Sequence, residues 1–512
     1  MKTLKYIFAG LVLAAGLSSC IGDLDVIPID PSKNTADKAL KTADDYYSLL
    51  AQCYTGFAVS GSYGPNGDNN ISGVDGGFSQ YYRGRYHLNG LTTDEAVCGW
   101  NDQTLQDLHG LNWTNSDVFV TAFYYRIFYQ ISACNEFIRQ AQKATVELPE
   151  KDRWIAEARA LRALCWLDAI DNFGNVPFAD ETASVGADAP RRIAREELFS
   201  YIESECRDLI DNSALYGMKE APYGRADKAL PVMVLAKLYL NAEVYAGKKM
   251  YQECADVLAE LSGYSLHSDY SELFLADNDR CTDEIIFAIE QDGEDTQSYG
   301  VTNYLIFAST GGSMDTEQVG ISSGWGGIRM TSKFYNYFTS SDRRRLFWEE
   351  GQKVEIDDIS DFTNGIAFFK FKNITSSGAP GKANGFVDTD FPVFRYADAL
   401  LMKAECAKRG ANVSDALEAW NQVRERAGVS TAASMNDVTL DMIIEERARE
   451  LYQEGWRRSD LVRFGLFTSS KYLWDWKGGI KGGRGVGEHF NLFPIPNSDK
   501  MANPNLIQNP GY

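Results

Sequence analysis

Apolar residues recur at helical spacing through most of this chain. Between residues 152 and 172, apolar side chains recur at three-residue steps from Ile155 to Ile170, with charged side chains between them. This pattern predicts an amphipathic helix, and Phe173-Gly174 ends it. Residues 226–246 are apolar on nearly every side, which predicts a buried helix. The same reasoning predicts further helices over 35–58, 116–143, 195–212, 251–262, 396–409, 414–427 and 439–452.

Several of these predicted helices form adjacent pairs. The pairs are 116–143 with 151–172, 195–212 with 226–246, and 396–409 with 414–427. Antiparallel helix pairs that stack on one another are the unit of an α-solenoid. Their spacing is irregular compared with the 34-residue period of the tetratricopeptide repeat. We therefore predict a mainly α protein built from degenerate, tetratricopeptide-like helix pairs.

Two stretches lack the helical pattern. Residues 60–115 are rich in Gly, Asn, Asp and aromatic side chains, and residues 284–395 mix short apolar runs with Gly-rich loops. The runs 285–289 and 367–371 predict short strands. Long loops inside a compact protein are usually functional or disordered. Because these loops contain many aromatic residues, we expect them to form the ligand site.

The N-terminus carries an export signal. Lys2 and Lys5 precede an apolar run over 7–17, which is too short for a bilayer span of about 20 residues. It ends in Leu17-Ser18-Ser19-Cys20, which resembles a bacterial lipobox. We predict a signal peptide over 1–19, a lipidated tether over 20–33 that begins at Cys20, and a single body over 34–512. The alternative is an ordinary buried cysteine after an apolar helix.

The net charge and the cysteine content limit the classes of function that the protein can have. The 512-residue chain has a formal charge of −21, and this excess of acid disfavours nucleic-acid binding, which needs a basic surface. Eight cysteines remain after Cys20, scattered and without a CxxC motif. We expect buried free thiols, although an exported protein could pair them. Ten Trp, 27 Tyr and 27 Phe exceed what ordinary helices require, which directs attention to the aromatic loops.

No motif for catalysis has its required context. The four histidines lack zinc-site spacing, and no Walker A motif is present. Residues 320–324 match GxSxG without the preceding apolar strand that a nucleophile elbow needs. The acid pairs Asp94-Glu95 and Glu445-Glu446 leave a glycosidase as an outlying alternative, but the second pair is typical of helix ion pairing. We predict that the protein is not an enzyme and requires no cofactor.

The acidic loop 277–284 is the one candidate for a metal. Calcium binds several oxygen ligands, but this loop lacks EF-hand spacing. A solvated acidic loop is the favoured interpretation, and a structural Ca²⁺ is the alternative. The sequence indicates no particular set of metal ligands.

Motifs in order along the chain resemble the SusD/RagB family. They lie at 156–163 with 173–177, at 224–229, at 394–405, at 446–465 and at 505–512. The resemblance spans essentially the whole chain and includes the lipobox. It implies a non-catalytic, glycan-binding lipoprotein anchored in the outer membrane and facing the cell exterior. It also implies a tetratricopeptide-like fold and a TonB-dependent transporter of the SusC type as partner. Arg447, Arg449 and Arg458 lie in the shared helical motifs, where we expect them to form buried or half-buried ion pairs.

Within the family, three stretches resemble the starch-binding member: 21–31, 270–279 with 291–293, and 471–479. That resemblance implies an aromatic arc of Trp100, Tyr299 and Trp325, each in a loop with Gly neighbours. Rings stack on the apolar faces of sugars, and planar polar groups bind their hydroxyls. Arg83 and Asp75 are the implied polar contacts. The chain departs from the relative after Trp100, where Asn101 and Gln103 are the candidates for one further contact.

Alternatives remain for these residues and for the ligand. Each aromatic could instead pack on its own loop, and Arg83 could instead form a surface salt bridge with Asp75. The favoured ligand is an α-glucan such as starch or malto-oligosaccharide. The same scaffold could instead bind a pectic, fructan or host oligosaccharide. Peptide cargo is the remaining alternative, and it would predict a deeper and less aromatic cleft.

Overall fold

The computed structural model describes residues 39–67, 69–183, 186 and 189–512. The predicted signal peptide, Cys20 and the tether lie outside the described residues. Among the described residues, no helix combines the length and apolar character needed to cross a membrane.

The α-helices are Ala43–Thr55, Gly64–Gly67, Tyr81–Asn89, Leu105–Gly110, Val118–Lys143, Lys151–Asn172, Arg195–Asp211, Ala229–Leu240, Ala242–Ala246, Tyr251–Leu258, Val301–Ser309, Thr316–Val319, Ser332–Tyr335, Tyr396–Lys408, Ala416–Arg426, Leu440–Leu451, Arg457–Arg463 and Asn497–Ala502. Short 3-10 helices are Tyr270–Phe274, Asn278–Arg280, Met435–Asp437, Lys477–Gly479 and Glu488–Asn491.

The predicted helix pairs pack as pairs. Val118–Lys143 packs against Lys151–Asn172, Arg195–Asp211 against Ala229–Leu240, and Tyr396–Lys408 against Ala416–Arg426. Successive pairs also contact one another, since Lys151–Asn172 touches Arg195–Asp211. Every residue of Ala229–Leu240 is buried, as its all-round apolar sequence predicts. The mainly α, tetratricopeptide-like architecture is thereby confirmed.

Three parts of the helix prediction need correction. One is the stretch 284–395, predicted as short strands and loops, which contains the helix Val301–Ser309. The predicted helix 226–246 is two helices, because the side-chain amide of Asn241 donates to the carbonyl of Lys237 at 2.9 Å and competes with the helical backbone bond. The stretch 60–115, predicted as loop, contains the helix Tyr81–Asn89. Only Arg83 of that helix is not fully buried. Its buried face consists largely of Tyr, Arg, His and Asn, so apolar periodicity does not indicate it.

In the described residues, three small antiparallel sheets accompany the helices. The largest has four strands in the order Ala96–Cys98, Ile328–Met330, Ile366–Phe368 and Phe347–Trp348. Ile285–Ile289 pairs with Phe391–Arg395, and Val176–Phe178 pairs with Arg191–Ile193. Both apolar runs predicted as strands therefore contribute strands, and the four-stranded sheet lies where the two irregular stretches of the chain meet.

Charged side chains fill part of the interior. Arg395 bridges Glu284 at 2.5 Å, Glu454 at 2.7 Å and Glu450 at 3.0 Å, and all four side chains are buried. Burial raises the pKa of Glu450, but Arg426 and Arg395 more than compensate and hold that pKa far below its usual range. A buried charge needs such partners because an unpaired one is costly. The ion network therefore ties the C-terminal helices to the irregular segment.

The arginines of the helical motifs form buried or half-buried ion pairs, as predicted. Arg447 bridges Asp460 at 2.8 Å and Asp398 at 2.9 Å, and Arg449 bridges Glu446 at 2.9 Å. Arg458 pairs with Asp171 at 3.7 Å, and it also donates to the carbonyl of Asn491 at 2.5 Å and lies over the Phe493 ring. The eight cysteines in the described residues are buried free thiols, as predicted.

Candidate functional site

A strand pairing brings the two loop tryptophans together. Cys98 and Ile328 are register partners in the antiparallel sheet. The ladder continues past the strand ends, because Gly99 N–H donates to the Gly327 carbonyl at 3.0 Å. Trp100 follows the first strand and Trp325 precedes the second, so both emerge at the same end of the sheet. Residues distant in sequence thereby meet at a rigid edge.

The loop that carries Trp325 is anchored on the C-terminal end of helix Val301–Ser309. The N–H of Trp325 donates to the Phe307 carbonyl at 2.7 Å, and Gly327 N–H donates to the Ala308 carbonyl at 2.8 Å. These carbonyls have no partner inside their own helix, so the loop satisfies them. The Trp100 ring lies directly on Gly327, where a Cβ atom would come within 2.5 Å of the indole. Glycine is therefore required for this close approach.

Four aromatic rings form a continuous row, here called the aromatic row: Trp100, Trp325, Tyr299 and Phe386. The centroid of Trp325 is 6.2 Å from that of Trp100 and 6.0 Å from that of Tyr299. Phe386 continues the row, 5.7 Å from Tyr299. All four side chains are half-buried, so each keeps an accessible surface. Successive ring planes are inclined by 53°, 71° and 34°, which gives the row a non-planar surface.

Buried rings support the aromatic row from helix Val301–Ser309. Tyr304 contacts Trp100 at 6.1 Å, and Phe307 contacts Trp325 at 5.0 Å. Tyr304 in turn shares a hydrogen bond of 3.1 Å with His87, which is also buried. Ring pairs of this kind contribute stabilising free energy beyond that expected from the area they bury. The three predicted aromatics therefore stand on a fixed platform, and they contact one another as a single surface.

Arg83 lies beneath the aromatic row. Its Nη1 donates to the Gly77 carbonyl at 2.8 Å and to the Tyr299 carbonyl at 2.9 Å, and its guanidinium lies 4.4 Å over the Tyr304 ring. No ion pair joins it to Asp75 in the described part of the chain, so the alternative of a surface salt bridge is not realised. Burial lowers the pKa of Arg83, an effect that Asp102 and Asp75 oppose from nearby. Arg83 thus positions the Tyr299 loop.

The other predicted polar residues lie apart from the rings. Asn101 and Gln103 are exposed, and their side chains make no hydrogen bond to any described residue. Asp75 is exposed and accepts from Gly77 N–H at 2.6 Å. Asp75 and Gln103 line a cavity of about 720 Å³ together with Asp102 and helix Val118–Lys143. Of the predicted polar residues, Asp75 and Gln103 therefore line this cavity, Arg83 lies beneath the aromatic row, and Asn101 lines neither.

The sequence did not predict two residues of this region, Phe386 and Arg329. Phe386 follows Gly385 in a Gly-rich loop, the same signal that marked the other three aromatics. Its loop is tied to the neighbours, since Ser322 N–H donates to the Asn384 carbonyl at 2.9 Å and Gly293 N–H to Asp388 at 2.8 Å. These bonds fix Phe386 beside Tyr299.

Arg329 is the second such residue. It is fully buried and donates to the carbonyls of Gly327, Asn364, Asp361 and Ile359 at 2.5 to 3.0 Å. Burial lowers its pKa to about 10. The sequence does not predict that an arginine inside a short strand binds four backbone carbonyls. It joins the Trp325 loop to the segment 359–364.

The acidic candidates are engaged in structural contacts. Asp94 receives two hydrogen bonds from Arg457, at 2.8 and 2.7 Å, and both Asp94 and Glu95 are fully buried. In the loop 277–284, Asp277 accepts from Ser376 N–H at 2.8 Å, and Asp283 contacts His267 at 2.9 Å. Among the described residues no group of three or more His, Cys, Asp or Glu is placed to hold a metal. Calcium binding by this loop stays a prediction.

Comparisons with known proteins agree with this architecture. A sequence model of the SusD family matches residues 357–512. The chain is 34% identical to the starch-binding protein SusD of Bacteroides thetaiotaomicron, over 100% of this chain and 99% of that protein. It is 24% identical to the SusD-like protein P2 of Formosa agariphila, over 80% of this chain and 83% of the relative. The chain therefore belongs to the SusD family.

Solved structures extend the comparison of the fold. Surface glycan-binding protein A of Bacteroides thetaiotaomicron, in complex with laminarihexaose, superposes with a TM-score of 0.72 at 21% identity, covering 92% of this chain and 100% of that one. The protein of the same name from Bacteroides fluxus gives a TM-score of 0.71 at 22% identity, with the same coverage. These neighbours share the fold across nearly the whole length of the chain.

Proposed function

We propose that this protein binds α-glucan chains, such as starch and malto-oligosaccharides, at the cell surface. The observation that carries the proposal is the aromatic row, whose four half-buried rings come from separate loops, with Trp100 and Trp325 packed on buried rings of helix Val301–Ser309. Sugar rings present apolar C–H faces that stack on aromatic rings. Because supporting residues fix the rings in advance, little conformational entropy is lost on binding.

The tilt of the rings favours a curved glycan. Successive planes from Trp100 to Tyr299 are inclined by 53° and 71°, so a flat, extended chain cannot lie against all of them. An α-glucan coils and can present successive sugar faces at different angles. The name of the 34% identical relative, which is a starch-binding protein, supports the same ligand class. The formal charge of −21 favours a neutral ligand over an anionic one.

We infer that binding occurs without catalysis. The carboxyls of Asp94 and Glu95 are buried away from the aromatic row's accessible faces. Ser322, at the centre of the GxSxG match, follows a short helix and a turn, whereas a nucleophile elbow needs a strand before its serine. Incubating the purified protein with starch and assaying reducing ends tests this inference. Release of sugar by the protein, absent from a Trp325→Ala variant, would contradict it.

The cellular part of the proposal rests on family membership and on the N-terminal sequence. Lipid on Cys20 would anchor the protein in the outer membrane, facing outward, and the protein would deliver glycan to a SusC-like TonB-dependent transporter. A Cys20→Ala variant is expected to leave the membrane fraction. Isolation of the tagged wild-type protein from detergent-solubilised membranes is expected to bring the transporter with it. Retention of Cys20→Ala in the membrane would refute the lipid anchor.

Calorimetric titration tests the ligand. The chain from residue 21 would be titrated with maltoheptaose, with cyclomaltoheptaose and with laminarihexaose, alongside Trp325→Ala. We expect both α-glucans to bind and Trp325→Ala to weaken them by about tenfold or more, since a stacked ring contributes roughly 1–2 kcal/mol. Tyr47→Ala is the matched control, because Tyr47 is an exposed aromatic on helix Ala43–Thr55.

Each outcome has a distinct meaning. If neither α-glucan gives a binding signal with protein that melts cooperatively, the starch assignment is overturned. Binding of laminarihexaose alone would redirect the same site to a different glucan. If Tyr47→Ala weakened binding as much as Trp325→Ala, the aromatic row would lose its assigned role.

A further inference from the structure

A second aromatic cavity, here called the Trp166 cavity, is formed by the helical scaffold. Its walls come from the helices Val118–Lys143 and Lys151–Asn172, from the C-terminal helix Asn497–Ala502, and from residues 177–179 and 189–190. Its volume is about 310 Å³, at the lower end of the range of roughly 300–1,000 Å³ that is typical of small-molecule sites. No described residue that lines it belongs to the aromatic row or to the rings that support the row. It is therefore a separate cavity.

Four aromatic side chains line the Trp166 cavity: Tyr124, Tyr125, Phe128 and Trp166. The ring centroid of Phe128 is 4.6 Å from that of Tyr124 and 6.1 Å from that of Trp166. Tyr125 continues the set, 5.8 Å from Tyr124. Tyr125 and Phe128 are half-buried, so each keeps an accessible surface. Contiguous rings of this kind can stack on the apolar C–H faces of a sugar.

The indole N–H of Trp166 is the observation that points to a ligand. Trp166 is 1% exposed, and its Nε1–H has no hydrogen-bond acceptor among the described residues. Buried N–H groups in proteins are nearly always paired, so an unpaired one needs an explanation. The ring is fixed by stacking on Phe178, with 5.3 Å between centroids. Because Trp166 lines the cavity, an oxygen atom of a ligand bound there can supply the missing acceptor.

Asp499 offers the complementary acceptor in the same cavity. One oxygen of its carboxylate accepts from the Tyr124 hydroxyl at 2.5 Å, and the other has no hydrogen bond in the described part of the chain. The two asparagines that line the cavity, Asn135 and Asn503, each already donate to a backbone carbonyl at 2.9 Å. A hydroxyl group can accept from an indole N–H and donate to a carboxylate. The unused donor and the unused acceptor therefore suit a ligand that carries hydroxyls.

We propose that the Trp166 cavity is a second carbohydrate site, which binds the terminal sugar residues of an α-glucan chain. The inference rests on the proposed function, since it takes α-glucan as the ligand. The small volume favours a chain end over a long segment. An apolar side chain would leave the Trp166 N–H unpaired, and the carboxylate of Asp499 would repel an anionic sugar. Two sites on one protein could hold two parts of one polymer at once, which raises the avidity for starch over that for short chains.

Nuclear magnetic resonance of the indole N–H groups tests this site directly. The chain from residue 21 would be labelled with nitrogen-15 at its ten tryptophan indoles. The signal that is absent from Trp166→Phe belongs to Trp166, and the signals of Trp100 and Trp325 are assigned from their own variants. Titration of Trp325→Ala with maltotriose then follows the Trp166 cavity in protein whose aromatic row is weakened.

A blocking variant and a matched control complete the experiment. Ser132 is an exposed residue of helix Val118–Lys143 that lines the Trp166 cavity, so Ser132→Trp would fill space there without removing a ring. Ser200→Trp adds the same ring at an exposed position of helix Arg195–Asp211 and serves as the control. Both substitutions are made in Trp325→Ala.

We expect the Trp166 signal to shift saturably with maltotriose, with a dissociation constant on the order of 1 mM, because a small site makes few contacts. Ser132→Trp should weaken this binding about tenfold or more, and Ser200→Trp should leave it within about twofold. An equal response in Ser132→Trp and Ser200→Trp would overturn the second site, because the shift would then arise elsewhere.

Two further outcomes separate the second site from the proposed function. In the wild type, signals of Trp100 and Trp325 that respond to maltoheptaose, beside a Trp166 signal that neither maltoheptaose nor maltotriose shifts, would overturn the second site alone. A Trp166 signal that shifts with p-cresol and with neither sugar would also overturn it, since the cavity would then take an apolar group. If maltoheptaose shifted none of the three signals, the proposed function would fail as well.

Discussion

Trp100 donates its indole N–H to the backbone carbonyl of Trp325 at 3.1 Å. The two rings that head the aromatic row are therefore fixed to one another by a bond between side chain and backbone, in addition to their ring contact. The bond crosses between two loops that the strand pairing brings side by side. The orientation of one tryptophan thus depends on the backbone of the other, so changes in either loop are expected to act on both.

Gly327 provides a direct test of this arrangement. In Gly327→Ala the new methyl would lie 2.5 Å from the Trp100 ring, so the indole must move. We expect α-glucan affinity to fall about tenfold while the protein stays folded, since the displaced ring loses a stacking contact. Calorimetry with cyclomaltoheptaose measures the effect.

Gly482→Ala is the control for that substitution, because a Cβ at Gly482 meets open space. It should bind as the wild type does. Unchanged affinity in Gly327→Ala would mean that Trp100 does not need its present position to bind glycan.

Arg83 is expected to act mainly through Tyr299. Arg83→Lys loses the Nη1 group that donates to the carbonyls of Gly77 and Tyr299, so the Tyr299 loop should loosen. We expect α-glucan affinity to fall about fivefold in Arg83→Lys, and we expect the double variant Arg83→Lys/Tyr299→Ala to bind no more weakly than Tyr299→Ala alone. A double-mutant cycle in calorimetry measures this coupling. Strictly additive losses would show instead that Arg83 contributes to binding independently of Tyr299.

The sequence predicts the helical scaffold well because its periodicity records burial. Ala229–Leu240 is apolar all round and is entirely buried, and Lys151–Asn172 repeats apolar residues at helical steps. Tyr81–Asn89 is missed because its buried positions carry hydroxyls, a guanidinium and an imidazole, most of which have a specific polar partner. One such partner is Asp168, which receives a hydrogen bond of 3.0 Å from Arg85.

The site is only partly predictable for a different reason. The three aromatics are indicated by Gly neighbours and by family resemblance, but their contact depends on the pairing of Ala96–Cys98 with Ile328–Met330. Strands of three residues are too short to show period-two alternation. Pairing between segments so far apart in sequence is set by tertiary packing. The role of Arg329, which acts through four backbone carbonyls, has no signature in the residue types around it.

Arg329→Met is expected to destabilise the protein strongly. The substitution leaves the carbonyls of Asn364 and Ile359 without a donor and removes one of the two donors to the carbonyls of Gly327 and Asp361. Each unsatisfied buried group costs about 1–3 kcal/mol, so we expect the free energy of unfolding to fall by about 3 kcal/mol or more. Urea denaturation followed by tryptophan fluorescence measures it.

Arg191→Met is the matched control, because Arg191 forms an exposed ion pair with Glu197. Such pairs contribute about 0–1 kcal/mol. A loss in Arg329→Met no larger than in this control would contradict the role of Arg329 as the link between the Trp325 loop and segment 359–364.

Glu95 makes stability depend on pH near neutrality. Burial raises its pKa to about 7, although its Oε1 accepts from Gln453 N–H and the Tyr86 hydroxyl, each at 3.0 Å. Its Oε2 is buried and has no hydrogen-bond partner among the described residues. A carboxyl whose folded-state pKa is raised binds its proton more tightly in the folded protein. Its stabilising contribution is therefore full below the unfolded-state pKa, about 4.5, and is lost as the pH rises to about 7.

Glu95→Gln removes this titration and keeps an oxygen for both donors. Relative to the wild type, the variant should gain up to about 3 kcal/mol in unfolding free energy between pH 5 and pH 8, because a shift of one pKa unit corresponds to about 1.4 kcal/mol. Urea denaturation at the two pH values measures the difference. Glu197→Gln changes an exposed carboxyl and serves as the control. Its unfolding free energy should differ from that of the wild type by the same amount at pH 5 and at pH 8. If Glu95→Gln also did so, the buried carboxyl would not be the group that titrates.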